Sequence, residues 1–199
     1  MTAKGRRSAQ DLKAAALRVI ARQGYLATKI TDITAEAGKS AGVFYRYFAD
    51  KDDLMRSVAE DFATALHDRV STELGHRHKL HDERHIEQHV RAYWDIYRTF
   101  QGQMIGIYQA SLMSTEFSEH WKHLQERHVA TWSAHMAEAR HLTAADEDCT
   151  RTAHALVCML EHYCRTTVPT LEAGDDEVHI KTLTRLAAHG ILHTDASHE

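Results

Sequence analysis

The chain has 199 residues, 43% hydrophobic, with 9 Gly and the single proline Pro169, a composition that favours long helices over a turn-rich sheet. No run of about 18 apolar residues occurs and the first residues are polar, so neither a membrane span nor a secretory leader is expected; Cys149, Cys158 and Cys164 form no ligand pair and no even framework, which suits a reducing cytoplasm. The net charge of −4 is divided: residues 1–56 hold 11 Lys+Arg against 6 Asp+Glu (net +5), and the remainder 13 against 22 (net −9), a basic head on an acidic body.

Lys4, Arg6 and Arg7 read as a short basic arm, either frayed in solvent or laid along phosphates. Ser8 followed by Asp11 is a capping-box signal. It opens a helix over 9–23, with Leu12, Ala16, Val19 and Ile20 facing inward and Gly24 ending it. Ile30, Ile33 and Ala37 then form one buried stripe on a helix of about two turns. Gly38 can take the left-handed conformation that ends that helix, and Ser40 can cap the next, which turns Phe44 and Phe48 inward. Asp50 with Asp53 starts a third. Two short helices joined at a glycine form a helix-turn-helix, whose second helix suits the DNA major groove.

The run Thr-x-x-Asp-Ile-x-x-x-Ala-Gly-x-Ser-x-Gly-x-x-Tyr-x-Tyr-Phe-x-x-Lys, from Thr28 to Lys51, resembles the DNA-binding domain of the TetR family of bacterial transcription regulators, over roughly residues 8 to 56. The resemblance implies DNA contacts from Thr28, Lys29 and Thr31, from Lys39 and Ser40 in the turn, from Ala41, Gly42, Val43, Tyr45, Arg46 and Tyr47 on the recognition helix, and from Lys51. Where the family often has Lys or Gln this chain has Ala41, and Val43 stands where Thr or Asn is common. Arg46 carries the one fork suited to guanine, with a phosphate contact as its other reading. Lys39, Tyr45, Tyr47 and Lys51 suit phosphates, and Gly42 lets backbone approach DNA.

Beyond this head, a helix over 51–74 spaces Leu54, Val58, Phe62 and Leu66 by four and forms a lever into the second domain. Residues 75–82 read as a polar loop. Further helices follow: one carrying Ile86 to Phe100 and ended or bent at Gly102, one carrying Met104 to Met113, and a long one over 115–140. Two more run over about 144–167, with Thr143 and Asp146 as a capping box, and over 176–192. The expected fold is all-α with about nine helices: a helix-turn-helix domain over 1–50 and a ligand-sensing and dimerisation domain over 51–199. The resemblance implies a homodimer through the last two helices, for which Leu156, Val157, Leu160, Leu183, Leu186, Ala187 and Ile191 are the candidates; closing the monomer's core is their alternative role.

Trp94, Tyr97, Phe100, Met104, Tyr108, Met113, Phe117, Trp121, Trp132, Met136, Met159, His162 and Tyr163 are candidate lining for an apolar or aromatic effector, or else ordinary core. All 17 His follow residue 66. His81, His85 and His89 recur every four residues, yet Arg, Glu and Gln around them describe an exposed face, so no metal ligand is assigned. His162 reads as the interior histidine. With no phosphate loop and no nucleophile elbow, neither a catalytic residue nor a cofactor is expected. The expected partners are double-stranded operator DNA, a small-molecule effector and a second copy, and no membrane. The reading is a cytoplasmic regulator, a repressor released by its effector; the alternative is a His-rich metal-binding bundle with little specific DNA binding.

Overall fold

α1 (Ala3–Gln23) starts earlier than the Ser8 signal indicates: Lys4, Arg6 and Arg7 are helical rather than a loose arm, because no helix-breaking turn separates them from the amphipathic run behind. The computed structural model describes residues 3–74, 82–140, 142, 146–172 and 174–192, and among these no strand occurs. The loop expected over 75–82 falls, but for Asp82, outside the described residues, as do His81 and Thr143. After α1 come α2 (Ile30–Glu36), α3 (Ala41–Tyr47) and α4 (Lys51–Leu74), then α5 (Glu83–Thr99), α6 (Gln101–Met113), α7 (Thr115–Ala139), α8 (Glu147–Thr167) and α9 (Asp176–Leu192). The fold is all-α.

Each boundary has a local cause. The Asp32 carboxylate accepts from the Lys29 amide at 3.0 Å at the start of α2, and Gly38 at φ 61 turns the chain out of it. The Ser40 hydroxyl caps α3 by accepting from the Val43 amide. Asp50 accepts from the Asp53 amide at 2.7 Å while Asp53 accepts from the Ala49 amide at 2.9 Å, so α4 begins on a reciprocal pair of caps. α6 starts ahead of Gly102, which lies in its first turn. α8 starts at Glu147 with Asp146 as its cap, accepting from the Cys149 amide.

The helices form two packing units. The first is residues 1–63 with 100–123, the second 64–99 with 124–199, so α4 and α7 each contribute to both. In the first, Leu12, Val19 and Ile20 of α1 pack with Ile33, Phe44, Leu54, Met55 and Val58 under α2 and α3. α6 joins them closely through Gly106: a Cβ there would stand 3.2 Å from Met55 Cε and 3.4 Å from Leu17 Cδ2. In the second unit α5 buries Ile86, Val90 and Trp94 on the side it shares with α8 and α9. Arg91 bridges to Glu177 at 2.5 Å, Trp94 donates to Asp176 at 2.6 Å and Arg98 pairs with the same carboxylate. Arg140 donates to the Gly190 and Ile191 carbonyls and so closes the carboxyl end of α9.

Candidate nucleic-acid interface

The helix-turn-helix is held from behind by ion pairs that engage much of the head's positive charge. Arg18 and Arg22 of α1 converge on Glu36 of α2 at 2.7 and 2.9 Å, and the two guanidiniums keep that carboxyl below its usual range. Lys13 bonds Asp61 at 2.7 Å and the Ser57 carbonyl at 3.1 Å, tying α1 to α4. Lys39, in the turn, pairs with Asp11 at 3.0 Å. What remains outward is a short face: Lys29, Thr31, Ser40, Ala41, Gly42, Tyr45 and Arg46 are exposed, and Val43 and Tyr47 partly so. Tyr45 is 60% exposed, and no ion pair engages Arg46 or Lys29 among the described residues. This face can offer two cations, two phenols and small groups to a duplex, with the cations positioned for phosphate or a guanine edge.

Two expected contacts are corrected. Thr28 is 3% exposed, and its hydroxyl donates to the Gly24 carbonyl at 2.8 Å, so it closes the loop before α2 instead of facing outward. Lys51 donates to the Tyr25 carbonyl at 2.6 Å and the Thr28 carbonyl at 3.0 Å, and its ammonium lies 4.1 Å from the centroid of the Tyr25 ring. Two of the ammonium's three donors are thus taken by backbone carbonyls, and the Tyr25 ring lies beside it. Partial burial lowers its pKa. Lys51 is a staple of the loop at 24–28, and its motif position could not reveal this.

The same loop is gripped from residues far along the chain that sequence reasoning missed. The Gln109 side-chain oxygen on α6 accepts from the Tyr25 amide at 2.8 Å. The Tyr25 hydroxyl donates to Asp52, whose other oxygen takes the Ser114 hydroxyl at 2.5 Å. Ser114 in turn caps α7, accepting from the Phe117 amide at 3.1 Å. One hydroxyl thus links the start of α7 to the loop that leads into α2. No spacing in the sequence signals it, because the partners lie 27 to 84 residues apart.

The family model for bacterial regulatory proteins of the tetR family matches residues 12–58, the segment that builds this face and its support. Over that segment the chain is similar to the DNA-binding domain of the TetR family. A curated relative, the uncharacterized HTH-type transcriptional regulator YvdT of Bacillus subtilis, is 37% identical over 60 residues, 30% of this chain and 31% of that protein. The alignment thus spans about a third of the relative's length. Among solved structures, a putative TetR-family transcriptional regulator from Syntrophomonas wolfei superposes with a TM-score of 0.80 at 17% identity, over 97% of this chain and 99% of that one. FadR from Bacillus subtilis, solved in complex with stearoyl-CoA, superposes with a TM-score of 0.71 at 15% identity, over 92% and 98%. These likenesses extend the TetR fold along the whole chain.

The candidate effector residues do not gather in one unit. Phe100, Met104, Tyr108, Met113, Phe117 and Trp121 belong to the first, and Trp94, Tyr97, Trp132, Met136, Met159, His162 and Tyr163 to the second. Tyr108 and Met113 are exposed, and Trp94, Trp132 and Met136 are fully enclosed. His162 is exposed, against expectation. Among the described residues His89 is the buried histidine, its ring tilted against Trp132 with centroids 4.8 Å apart, and the half-buried His128 accepts from the Trp132 indole at 3.1 Å. Burial holds the His128 imidazole neutral, its pKa pushed down to about 4. His89 faces inward while His85 bonds Asp82 at 2.7 Å, so the four-residue spacing does not make them a chelating pair. Among the dimer candidates Leu156, Val157, Leu160, Leu183, Ala187 and Ile191 are buried inside the chain's own core. Leu186 alone of that set is exposed, at 56%. The apolar period told which side of each helix is inward, and that side closes the monomer.

Proposed function

We propose that this chain is a TetR-family DNA-binding transcription regulator, a repressor that acts as a homodimer and leaves its operator when a small, largely apolar effector binds. The observation that carries the DNA reading is the outward face of Lys29, Tyr45 and Arg46 on a helix-turn-helix where Lys13, Arg18, Arg22 and Lys39 are engaged internally. The head over 1–50 reads DNA, and residues 51–199 sense the effector and dimerise. The second copy packs on the outer side of α8 and α9, around Ala155, Met159 and Leu186, residues the monomer's core leaves at least partly open. Leu186→Asp then yields a monomer in sedimentation at micromolar concentration, and a dimer that survives it removes this face from the reading.

The effector enters the aromatic interior of the second unit, among Trp94, Tyr97, Trp132 and Met136. Support comes from the enclosed apolar side chains there and from FadR of Bacillus subtilis, whose structure contains stearoyl-CoA. An effector can release DNA only through different affinities for two arrangements of the chain. The grip of Gln109 and Ser114 on the loop at 24–28 supplies a path by which a shift of α6 or α7 reaches the entry to α2. The test is a mobility-shift titration on the gene's own promoter DNA over a salt series. Affinity that falls steeply with salt and is lowered by an acyl-chain compound supports the reading; a salt slope near zero sinks it.

A further inference from the structure

α8 buries Ala153, Leu156, Val157, Leu160 and Cys164, which leaves His154, Cys158 and His162 exposed on the opposite side at intervals of four residues. On that stripe the Cys158 Sγ and the His154 Nε2 lie 3.7 Å apart. A tetrahedral ion with Zn–S of about 2.3 Å and Zn–N of about 2.0–2.1 Å holds two such donors about 3.6 Å from each other. The pair is therefore spaced to chelate one ion with almost no rearrangement. Both groups are exposed, so the thiol can release its proton to solvent as the thiolate takes the metal, while the imidazole binds in its neutral form. Cys149 and Cys164 are buried and offer no competing thiolate, and His162 engages Arg165 at 2.8 Å through Nδ1.

Two donors leave a four-coordinate ion two short, and among the described residues no three metal-ligating side chains of one chain converge. The missing donors can come from a symmetry mate, because α8 contributes to the face assigned to the second copy and a twofold axis duplicates every side chain near it. We propose that His154 and Cys158 form half of a site for a zinc-class divalent ion, completed as a two-His, two-Cys tetrahedron by the same residues of a second copy of this chain. The shared half of the site rests on the homodimer reading. The ion then clamps α8 to its mate and makes dimer stability respond to metal and to oxidation of Cys158.

The experiment titrates full-length, reduced, chelator-stripped protein with Co²⁺ as an optical probe and follows its mass by sedimentation. The expected result is a thiolate-to-cobalt charge-transfer band with the intense visible bands of tetrahedral cobalt, saturating at one ion per two chains. The charge-transfer band is lost in Cys158→Ala and in Cys158→Ser, and the tetrahedral pattern in His154→Ala, with helicity by circular dichroism unchanged at these exposed positions. A band that persists without Cys158, saturation at one ion per chain, or a weak octahedral spectrum overturns the site. A dimer lacking the thiolate band refutes the metal site and leaves the dimer standing, whereas a monomer with or without cobalt removes both.

Discussion

Replacing Lys51 by Met separates two roles that the motif cannot distinguish. The substitution keeps the aliphatic stem and removes the ammonium, which bonds the Tyr25 and Thr28 carbonyls at 2.6 and 3.0 Å and lies against the Tyr25 ring. Hydrogen bonds to a charged group contribute about 1.5–3 kcal/mol each, and an exposed cation–π contact about 0.5–1 kcal/mol. Lys51 is only partly buried, so solvent screening reduces the sum, and we expect a loss of about 2–3 kcal/mol in unfolding free energy. Urea unfolding reads this as a lower midpoint at an unchanged slope. Operator binding, measured as log K against log salt, keeps its slope, because the ammonium is engaged by the loop at 24–28. If stability stays within about 0.5 kcal/mol of the parent while the salt slope falls by about one, Lys51 is a phosphate contact and the stapling argument is wrong.

Arg46→Ala weakens operator binding by about 1–3 kcal/mol and relaxes selectivity at one base position, with fold stability unchanged to about 0.5 kcal/mol; a shift assay across single-base operator variants checks both. Gln109→Ala leaves the Tyr25 amide without its acceptor, costs about 1–3 kcal/mol of stability and weakens DNA binding from a helix outside the motif, which denaturation and shift assays on one preparation test together. For His128, the imidazole is neutral in folded and unfolded chains above pH 6.5 and contributes no pH dependence there. As pH falls from 6.5 towards 4 the unfolded chain takes up a proton the folded one refuses, so stability declines by up to about 3 kcal/mol over that window. His128→Gln flattens that part of a denaturation-versus-pH curve, and an unchanged curve assigns the acid sensitivity elsewhere.

Most of the local structure was legible because its causes are local. The caps at Ser40 and at Asp50 with Asp53, the turn at Gly38 and the inward pair Phe44 and Phe48 all depend on residues within four positions of each other. The candidate site was legible only in part. Arg46 and Tyr45 stand outward as the recognition helix requires, whereas Thr28 and Lys51 turn back on the loop between α1 and α2. A donor in a motif can serve the nucleic acid or its own scaffold, and spacing is the same for both.

The body of the chain makes the contrast sharper. Apolar periodicity located α8 and α9 and marked Leu156, Leu160, Leu183 and Ile191 as inward, but inward of what depended on whether those faces meet each other or a second copy. Packing decided it: they are enclosed within one chain, and Leu186 and the stripe through Cys158 are left outside. His162 and His89 exchanged their expected places for the same reason, since burial is set by the neighbouring helix and not by the residues beside them in sequence. The sequence alone determined an all-α chain with a TetR-type head, because helix periods, caps and the glycine turn act over a few residues. Only the tertiary structure decided which cations remain for DNA and which helices hold the recognition element, because those partners meet across 14 to 84 residues of chain.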